Sequence, residues 1–132
     1  MLRKVAFVGM LVAALVAFFG CHKAEDASLK SVNDVLASAG FKLDSFHPAD
    51  GARFGARVCA AGSLDGVDAI VCEVPADKQA HAKRAGEDWL AQATTGVVLT
   101  RGTTLLALAD RGHVDPNGRT IHKITQAYAK LR

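Results

Sequence analysis

The sequence predicts a small α+β domain in which an antiparallel sheet of four to five strands packs against helices on one face. Three observations carry this prediction: paired β-favouring segments with turn signals, intervening segments with helical spacing, and two cysteines that one turn places opposite each other. The expected order is α-(β)-ββα-ββα, with the first strand optional. A length of 132 residues, half of them hydrophobic, fits one folded domain rather than a disordered chain.

The first helix is predicted to begin at Ser31, a good N-cap residue, and to stop at Gly40. Apolar residues recur between them with helical spacing, at Val32, Val35, Leu36 and Ala39. A short extended segment is expected over residues 41–46. A loop should follow over residues 48–51, where proline, aspartate and glycine cluster.

The next segment predicts a β-hairpin. Asp65 and Gly66 lie between two apolar, β-favouring runs, and this dipeptide is typical of a type I′ turn. The turn sets the register, because each residue before it pairs with one residue after it. Cys59 then faces Cys72 at a non-hydrogen-bonded site, where Cα atoms lie about 4.5 Å apart and a disulfide can form. The alternative is a pair of buried free thiols.

A second helix is expected to begin near Pro75 and Asp77 and to end at Gly96. Its apolar side is formed by Ala82, Ala85, Trp89 and Ala93. This spacing favours core packing for Trp89 over a role as an exposed binding aromatic.

A second hairpin is predicted over residues 97–100 and 103–109, around a turn at Arg101 and Gly102. Both of its strands are apolar at successive positions, which indicates central strands that are covered on each side.

The last helix is predicted to have Asp115 as its N-cap and Pro116 in its first position. Its buried stripe should be Ile121, Ile124, Tyr128 and Leu131. The loop before it, residues 110–118, is the densest polar cluster and partly matches a calcium-binding loop through His113 and Asp115. The match fails where such a loop needs a bidentate glutamate, so the favoured interpretation is a turn with a helix cap.

The N-terminus has the pattern of an export signal. Residues 1–4 are basic, residues 5–19 carry no charge, and Gly20 and Cys21 precede polar sequence. The uncharged run is short for a membrane-spanning helix, which needs about 20 residues. The alternative is an uncleaved N-terminal anchor.

This segment resembles the signal of bacterial lipoprotein precursors, in which a small residue stands just before a lipidated cysteine. Gly20 and Cys21 match that pattern, whereas Phe18 departs from the leucine that the family prefers at its position. The resemblance covers about 21 residues. It implies cleavage before Cys21, a diacylglycerol thioether on its sulfur, and a fatty acyl chain such as palmitate on its new amino group. In such proteins an aspartate directly after the lipidated cysteine favours retention at the inner membrane. This chain has His22 at that position, which favours the outer membrane.

These observations divide the chain into a cleaved signal peptide (residues 1–20), a lipidated cysteine with a polar tether (21–30) and one α+β domain (31–132). The tether spans at most about 30 Å at roughly 3.5 Å per residue. The lipid-anchored protein is expected in the bacterial cell envelope, facing the periplasm or the cell surface. An oxidising envelope is also the compartment in which a Cys59–Cys72 disulfide is stable.

The function predicted for this membrane-anchored lipoprotein is a non-catalytic binding or structural one, with no cofactor. The domain lacks the motifs of serine hydrolases and phosphate-binding loops, and no free cysteine is left as a nucleophile. Expected partners are the membrane, through the lipid, and an envelope protein or glycan. A net charge of +3 is too small to imply nucleic acid.

Two further possibilities remain open at this point. One is an envelope enzyme or metal-binding protein that uses residues 110–118, with His113 and Asp115 as the weak candidate metal ligands. The other is contact between anionic lipid or glycan and three arginines, although a solvated surface is the more common role of such residues. These arginines are Arg53, Arg57 and Arg101.

Overall fold

A five-stranded antiparallel sheet forms the centre of the computed structural model, which describes residues 29–43 and 45–131. The strands are β1 (His47–Ala49), β2 (Val58–Leu64), β3 (Val67–Glu73), β4 (Gly96–Arg101) and β5 (Thr104–Ala109). The helices are α1 (residues 29–38), α2 (Gln79–Trp89) and α3 (Arg119–Tyr128), with 3₁₀ turns at Ala52–Phe54 and Ala76–Lys78. The strand order in the sheet is β1-β2-β3-β5-β4. The α+β class and the predicted order of elements are confirmed.

The β2–β3 hairpin has the predicted turn and register. Asp65 and Gly66 both have positive φ, 51° and 86°, as a type I′ turn requires. Leu64 pairs with Val67, and five positions further from the turn Cys59 pairs with Cys72. The two cysteines form a disulfide across a Cα–Cα distance of 4.1 Å.

Helices cover both faces of the sheet, so the prediction that they share one face is wrong. Side chains alternate along β3 and β5, and each face therefore has its own core cluster. The cluster beneath α1 and α3 contains Leu36, Val71, Leu106, Leu108 and Ile124 among others. The cluster beneath α2 contains Phe54, Ile70, Cys72, Ala82 and Leu105 among others. Two layers are needed because β5 is buried at all six positions, as predicted for a strand covered on each side. The same prediction is wrong for β4, which lies at the edge of the sheet and is half-buried or exposed along its whole length.

Helix α1 includes residues that were expected to belong to the tether. Residues 29 and 30 are already helical, and Leu29 packs against the cluster beneath α1 and α3. Ser31 therefore lies within the helix rather than at its N-cap. The predicted stop is correct, since Gly40 has a φ of 93°, a conformation that glycine adopts without strain.

Strand β1 comes later than the extended segment predicted over residues 41–46. It consists of only three residues and includes Pro48, which was expected in a loop. A proline is tolerated here because β1 is an edge strand, where no neighbour needs the missing N–H.

Helix α2 ends at Trp89, well before the predicted stop at Gly96, which instead begins β4. A Cβ at Gly96 would lie 2.9 Å from the backbone oxygen of Leu108 and 2.9 Å from the Leu90 side chain. The glycine thus marks a close approach of the chain to β5, and not a helix terminus. Among the described helices, none is long and apolar enough to cross a membrane.

The β4–β5 turn is one residue later than predicted. Arg101 pairs with Thr104, so the turn residues are Gly102 and Thr103. Gly102 has a φ of 59° and takes the first of the two central turn positions, where a type II′ hairpin turn favours glycine.

Candidate functional site

Asp110 organises the loop that the sequence analysis singled out. Its carboxylate is fully buried and accepts hydrogen bonds from the backbone N–H groups of Val114, at 3.0 Å, and Asp115, at 2.9 Å. Its own backbone N–H donates to the carbonyl oxygen of Thr95, at 2.9 Å. The loop is therefore fastened at its start to the end of the sheet.

Asp115 performs the capping role predicted for it, but over a longer distance in sequence. Helix α3 begins at Arg119 behind Gly118, so Asp115 and Pro116 precede the helix instead of starting it. The Asp115 carboxylate nevertheless accepts the N–H groups of Thr120 and Ile121, both at 3.0 Å. These are donors of the first helical turn that the helix cannot satisfy itself.

The same contacts control the ionisation of Asp115. Burial acts to raise the pKa of its carboxyl, but the N–H groups of Ile121, Thr120 and Arg119 outweigh burial and hold the pKa below the ordinary value of 3.8. Asp115 is therefore an ionised helix anchor whose two oxygens are both directed at α3.

The His113 side chain contacts Thr94, whereas the Asp115 carboxylate contacts α3. His113 is exposed, its φ is 56°, and its Nδ1 is hydrogen-bonded to the Thr94 hydroxyl. Within residues 29–43 and 45–131, no group of three or more His, Cys, Asp or Glu side chains is arranged to hold a metal ion. The structure thus uses the polar residues of this loop to join β5 to α3.

The disulfide lies in the core rather than at an accessible site. Cys59 is 1% exposed and Cys72 is fully buried, in the cluster beneath α2. A Cβ at Gly51 would approach the Cys59 sulfur to 3.1 Å, so the segment before β2 closes over it. This burial fits a structural cross-link, and not a redox-active pair that exchanges with other thiols.

The three arginines weighed as anion contacts each have a separate role. Arg53 lies over the Phe54 ring at 5.6 Å, and Arg57 forms an ion pair with Glu73 at 3.7 Å. The Arg101 side chain donates to the carbonyl oxygen of Leu131, which ties β4 to the segment after α3. Arg53 lies in a 3₁₀ turn, Arg57 in the segment before β2 and Arg101 in β4, and each side chain has its own partner within the fold.

One cluster that the sequence analysis missed surrounds Trp89. The guanidinium of Arg111 stacks over the Trp89 ring at 4.4 Å and forms an ion pair with Asp68 at 3.1 Å. Trp89 is half-buried and packs against the cluster beneath α2, as its spacing predicted. These partners are up to 43 positions apart in sequence, and no motif links them.

A second missed feature is a surface cavity of about 360 Å³ beside the end of β3. Glu73, only 5% exposed, lines it together with Arg57, Asp77 and Thr103. The Glu73 carboxylate already faces the Arg57 guanidinium, so the pair serves as a partly buried ion pair at the sheet terminus.

The signal segment and the lipid attachment residue, Cys21, lie outside the described residues. Comparisons of the chain with protein-family models, with curated proteins and with solved structures find no match.

Proposed function

We propose that the protein is a lipoprotein of the bacterial cell envelope, anchored through Cys21, whose domain serves as a non-catalytic binding or structural module. Its partners would be the membrane, through the lipid, and an envelope protein or glycan. The outer membrane is favoured by His22 directly after the anchor residue.

The observation that supports this proposal most is the Cys59–Cys72 disulfide. Disulfides persist in oxidising compartments and are rare in the cytosol of most organisms. An exported domain also agrees with the basic start and the uncharged run over residues 5–19, which ends at Gly20 and Cys21.

The non-catalytic part of the proposal is supported by how the polar residues are used. Both oxygens of Asp110 and both oxygens of Asp115 accept backbone N–H groups, and Glu73 faces Arg57. Groups held in this way stabilise loops and termini, and they are poorly placed to accept a proton from a substrate.

The test is the intact mass of the protein extracted from the membrane fraction of the producing bacterium. We expect the mass of residues 21–132 plus acyl chains, less the two hydrogens lost on forming the disulfide. The Cys21→Ser variant is the control and should retain the signal and carry no lipid. A full-length mass without lipid for the unsubstituted chain would refute the lipoprotein proposal and leave residues 5–19 as an uncleaved anchor.

The rival function, an enzyme or metal-binding protein that uses residues 110–118, is tested by adding Ca²⁺ or Zn²⁺ while following the melting temperature. A ligand that binds only the folded state raises that temperature. We expect no rise for the native chain and none for His113→Ala. A rise that His113→Ala abolishes would establish a metal site and overturn the non-catalytic assignment of this loop.

A further inference from the structure

The exposed side of α3 carries a row of basic residues. Arg119 and Lys123 lie on α3 and Lys130 in the turn that follows it; all three are exposed, and their spacing of four and seven residues favours one side of the helix. We call these three residues the basic face. The sequence from Pro116 to the end contains no aspartate or glutamate.

No ion pair among the described residues joins a carboxylate to the basic face. Among all described residues, the ion pairs are Arg57 with Glu73 and Arg111 with Asp68, and neither involves α3. The nearby Asp115 is buried and directed at backbone amides. Asp34 of α1 lines a shallow cavity with Lys130 without forming an ion pair.

Helix α2, on the opposite face of the sheet, has a different charge pattern. Its exposed Lys83 and Arg84 are each followed four residues later by an acid, Glu87 and Asp88. Residues at this spacing lie on the same side of a helix, so each of these bases has an acid nearby even though no ion pair joins them. Lys30 and Asp34 of α1 have the same spacing, so α3 is the helix, among the three described, whose basic residues have no acid at this spacing.

The layer of α1 and α3 is also the one connected to the proposed anchor. Helix α1 packs on the same face of the sheet as α3 and is the first described element of the chain. Eight peptide steps separate Cys21 from residue 29, which reach at most about 28 Å at roughly 3.5 Å each. A domain held this close to a bilayer can rest its α1–α3 layer on the lipid surface.

We propose that the basic face binds the surface of an anionic phospholipid bilayer and so orients the domain with α1 and α3 toward the membrane. The attraction is electrostatic, because basic residues near anionic headgroups lower their free energy through the negative surface potential. Each basic residue strengthens the attraction roughly fivefold, and a short tether would add to this by keeping the surface at high effective concentration. This inference rests on the proposed lipid anchor for its biological setting.

The experiment measures sedimentation of the purified chain of residues 22–132 with phosphatidylcholine vesicles that contain or lack phosphatidylglycerol. Every member of the two core clusters lies within residues 29–131, so this chain retains the complete described fold. We expect binding only to vesicles with phosphatidylglycerol. Binding should fall steeply with added salt, because the screening length shrinks from about 10 Å at 0.1 M to about 3 Å at 1 M.

The matched variants are Lys123→Glu/Lys130→Glu on the basic face and Lys83→Glu/Arg84→Glu on α2, which change the net charge equally. We expect the first to weaken vesicle binding at least about tenfold, since each basic residue contributes roughly fivefold. The second should bind within about twofold of the native chain, because its residues lie on the opposite face. Melting curves of both variants verify that they remain folded.

Three outcomes would overturn the inference: no binding of the native chain at low salt, equal loss in the two variants, or tighter binding to soluble dextran sulfate than to vesicles. The last result would indicate a polyanionic glycan as the ligand of the basic face. The assay contains no acyl chain, so its failure is distinct from failure of the lipoprotein proposal, which the intact mass decides.

Discussion

At the scale of single residues, two aspartates act in series to connect the sheet with α3. Asp110 holds the backbone of Val114 and Asp115, and Asp115 in turn holds the first turn of α3. The sequence predicted the capping role of Asp115 from its residue type. It did not predict the role of Asp110, because a carboxylate that bonds four and five residues ahead belongs to no common cap or turn pattern.

We predict that Asp115→Ala lowers the free energy of unfolding by about 1–2 kcal/mol at neutral pH, because two amides of the first helical turn lose their acceptor. The effect should depend on pH. The pKa of Asp115 is lower in the folded protein than its ordinary value of 3.8, so the ionised carboxylate stabilises the fold above about pH 4. This contribution is lost as the pH falls through the folded-state pKa.

Urea unfolding from pH 7 down to acid conditions measures this difference. The native chain and Asp115→Ala should converge as the pH decreases below the ordinary carboxyl range. Asp34→Asn is the control for removal of a carboxylate, since this side chain is exposed and accepts no described hydrogen bond. A constant difference between the native chain and Asp115→Ala at every pH would contradict the proposed role.

At the scale of elements, α2 approaches β4 unusually closely at Gly86. A Cβ at this position would lie 2.9 Å from one methyl carbon of Val98 and 3.1 Å from the other. In an open helix, replacing glycine by alanine stabilises by about 1 kcal/mol. We predict the opposite sign here, a loss of about 1–3 kcal/mol, because overpacking outweighs helix propensity.

Denaturant unfolding of Gly86→Ala, Val98→Ala and the double variant checks this prediction. Val98→Ala removes the methyl groups that would clash, so Gly86→Ala should be neutral or stabilising in that background. Independent, additive effects of the two substitutions would show that Gly86 does not set the distance between α2 and β4.

The hairpin of β2 and β3 owes its register to its turn, and the disulfide adds stability to a pairing that already exists. We predict that Cys59→Ala/Cys72→Ala lowers the free energy of unfolding by about 3 kcal/mol, as expected for a short closed loop. The strand register should persist, because Asp65 and Gly66 still adopt the positive φ angles of the turn.

Backbone amide contacts in nuclear Overhauser spectra test the register, and urea unfolding tests the stability. Reduction of the native chain should produce a similar loss, whereas the double variant should not respond to the reductant. Equal stability of native and double-variant chains would refute the stabilising role of the cross-link.

At the scale of the whole molecule, one sheet serves two cores. The side chains of β3 and β5 enter both clusters alternately, so neither helical layer has a sheet of its own. Such an arrangement should unfold as one cooperative unit. Phe54 can test this cooperativity, because it is 1% exposed and lies in the cluster beneath α2, on the face of the sheet opposite α3.

We predict that Phe54→Ala destabilises the protein by about 3–5 kcal/mol and lowers hydrogen-exchange protection equally on both faces. The amide of Ile124 in α3 and amides of α2 report the two layers. Phe54→Leu should cause a smaller loss at the same sites. Reduced protection in α2 with unchanged protection at Ile124 would reveal two separate folding units.

The sequence by itself determined the features that depend on local chemistry and periodicity. The Asp65-Gly66 turn, the pairing of Cys59 with Cys72 and the buried stripe of α3 all follow from residues close together in the chain or related by one turn. The same local logic placed the β4–β5 turn one residue early, because glycine fits more than one turn position.

Only the tertiary structure decided how the elements are distributed in space. Which face of the sheet receives α2, why Gly96 begins a strand, and how Arg111 meets both Trp89 and Asp68 depend on contacts between distant residues. The apolar run of β5 indicates that both of its faces need cover, but the sequence does not say which helix covers which face, and β4 shows that an apolar strand can also lie half-exposed at the sheet edge. Side-chain packing selects one arrangement, because close-packed volumes and polar partners are properties of the assembled layers.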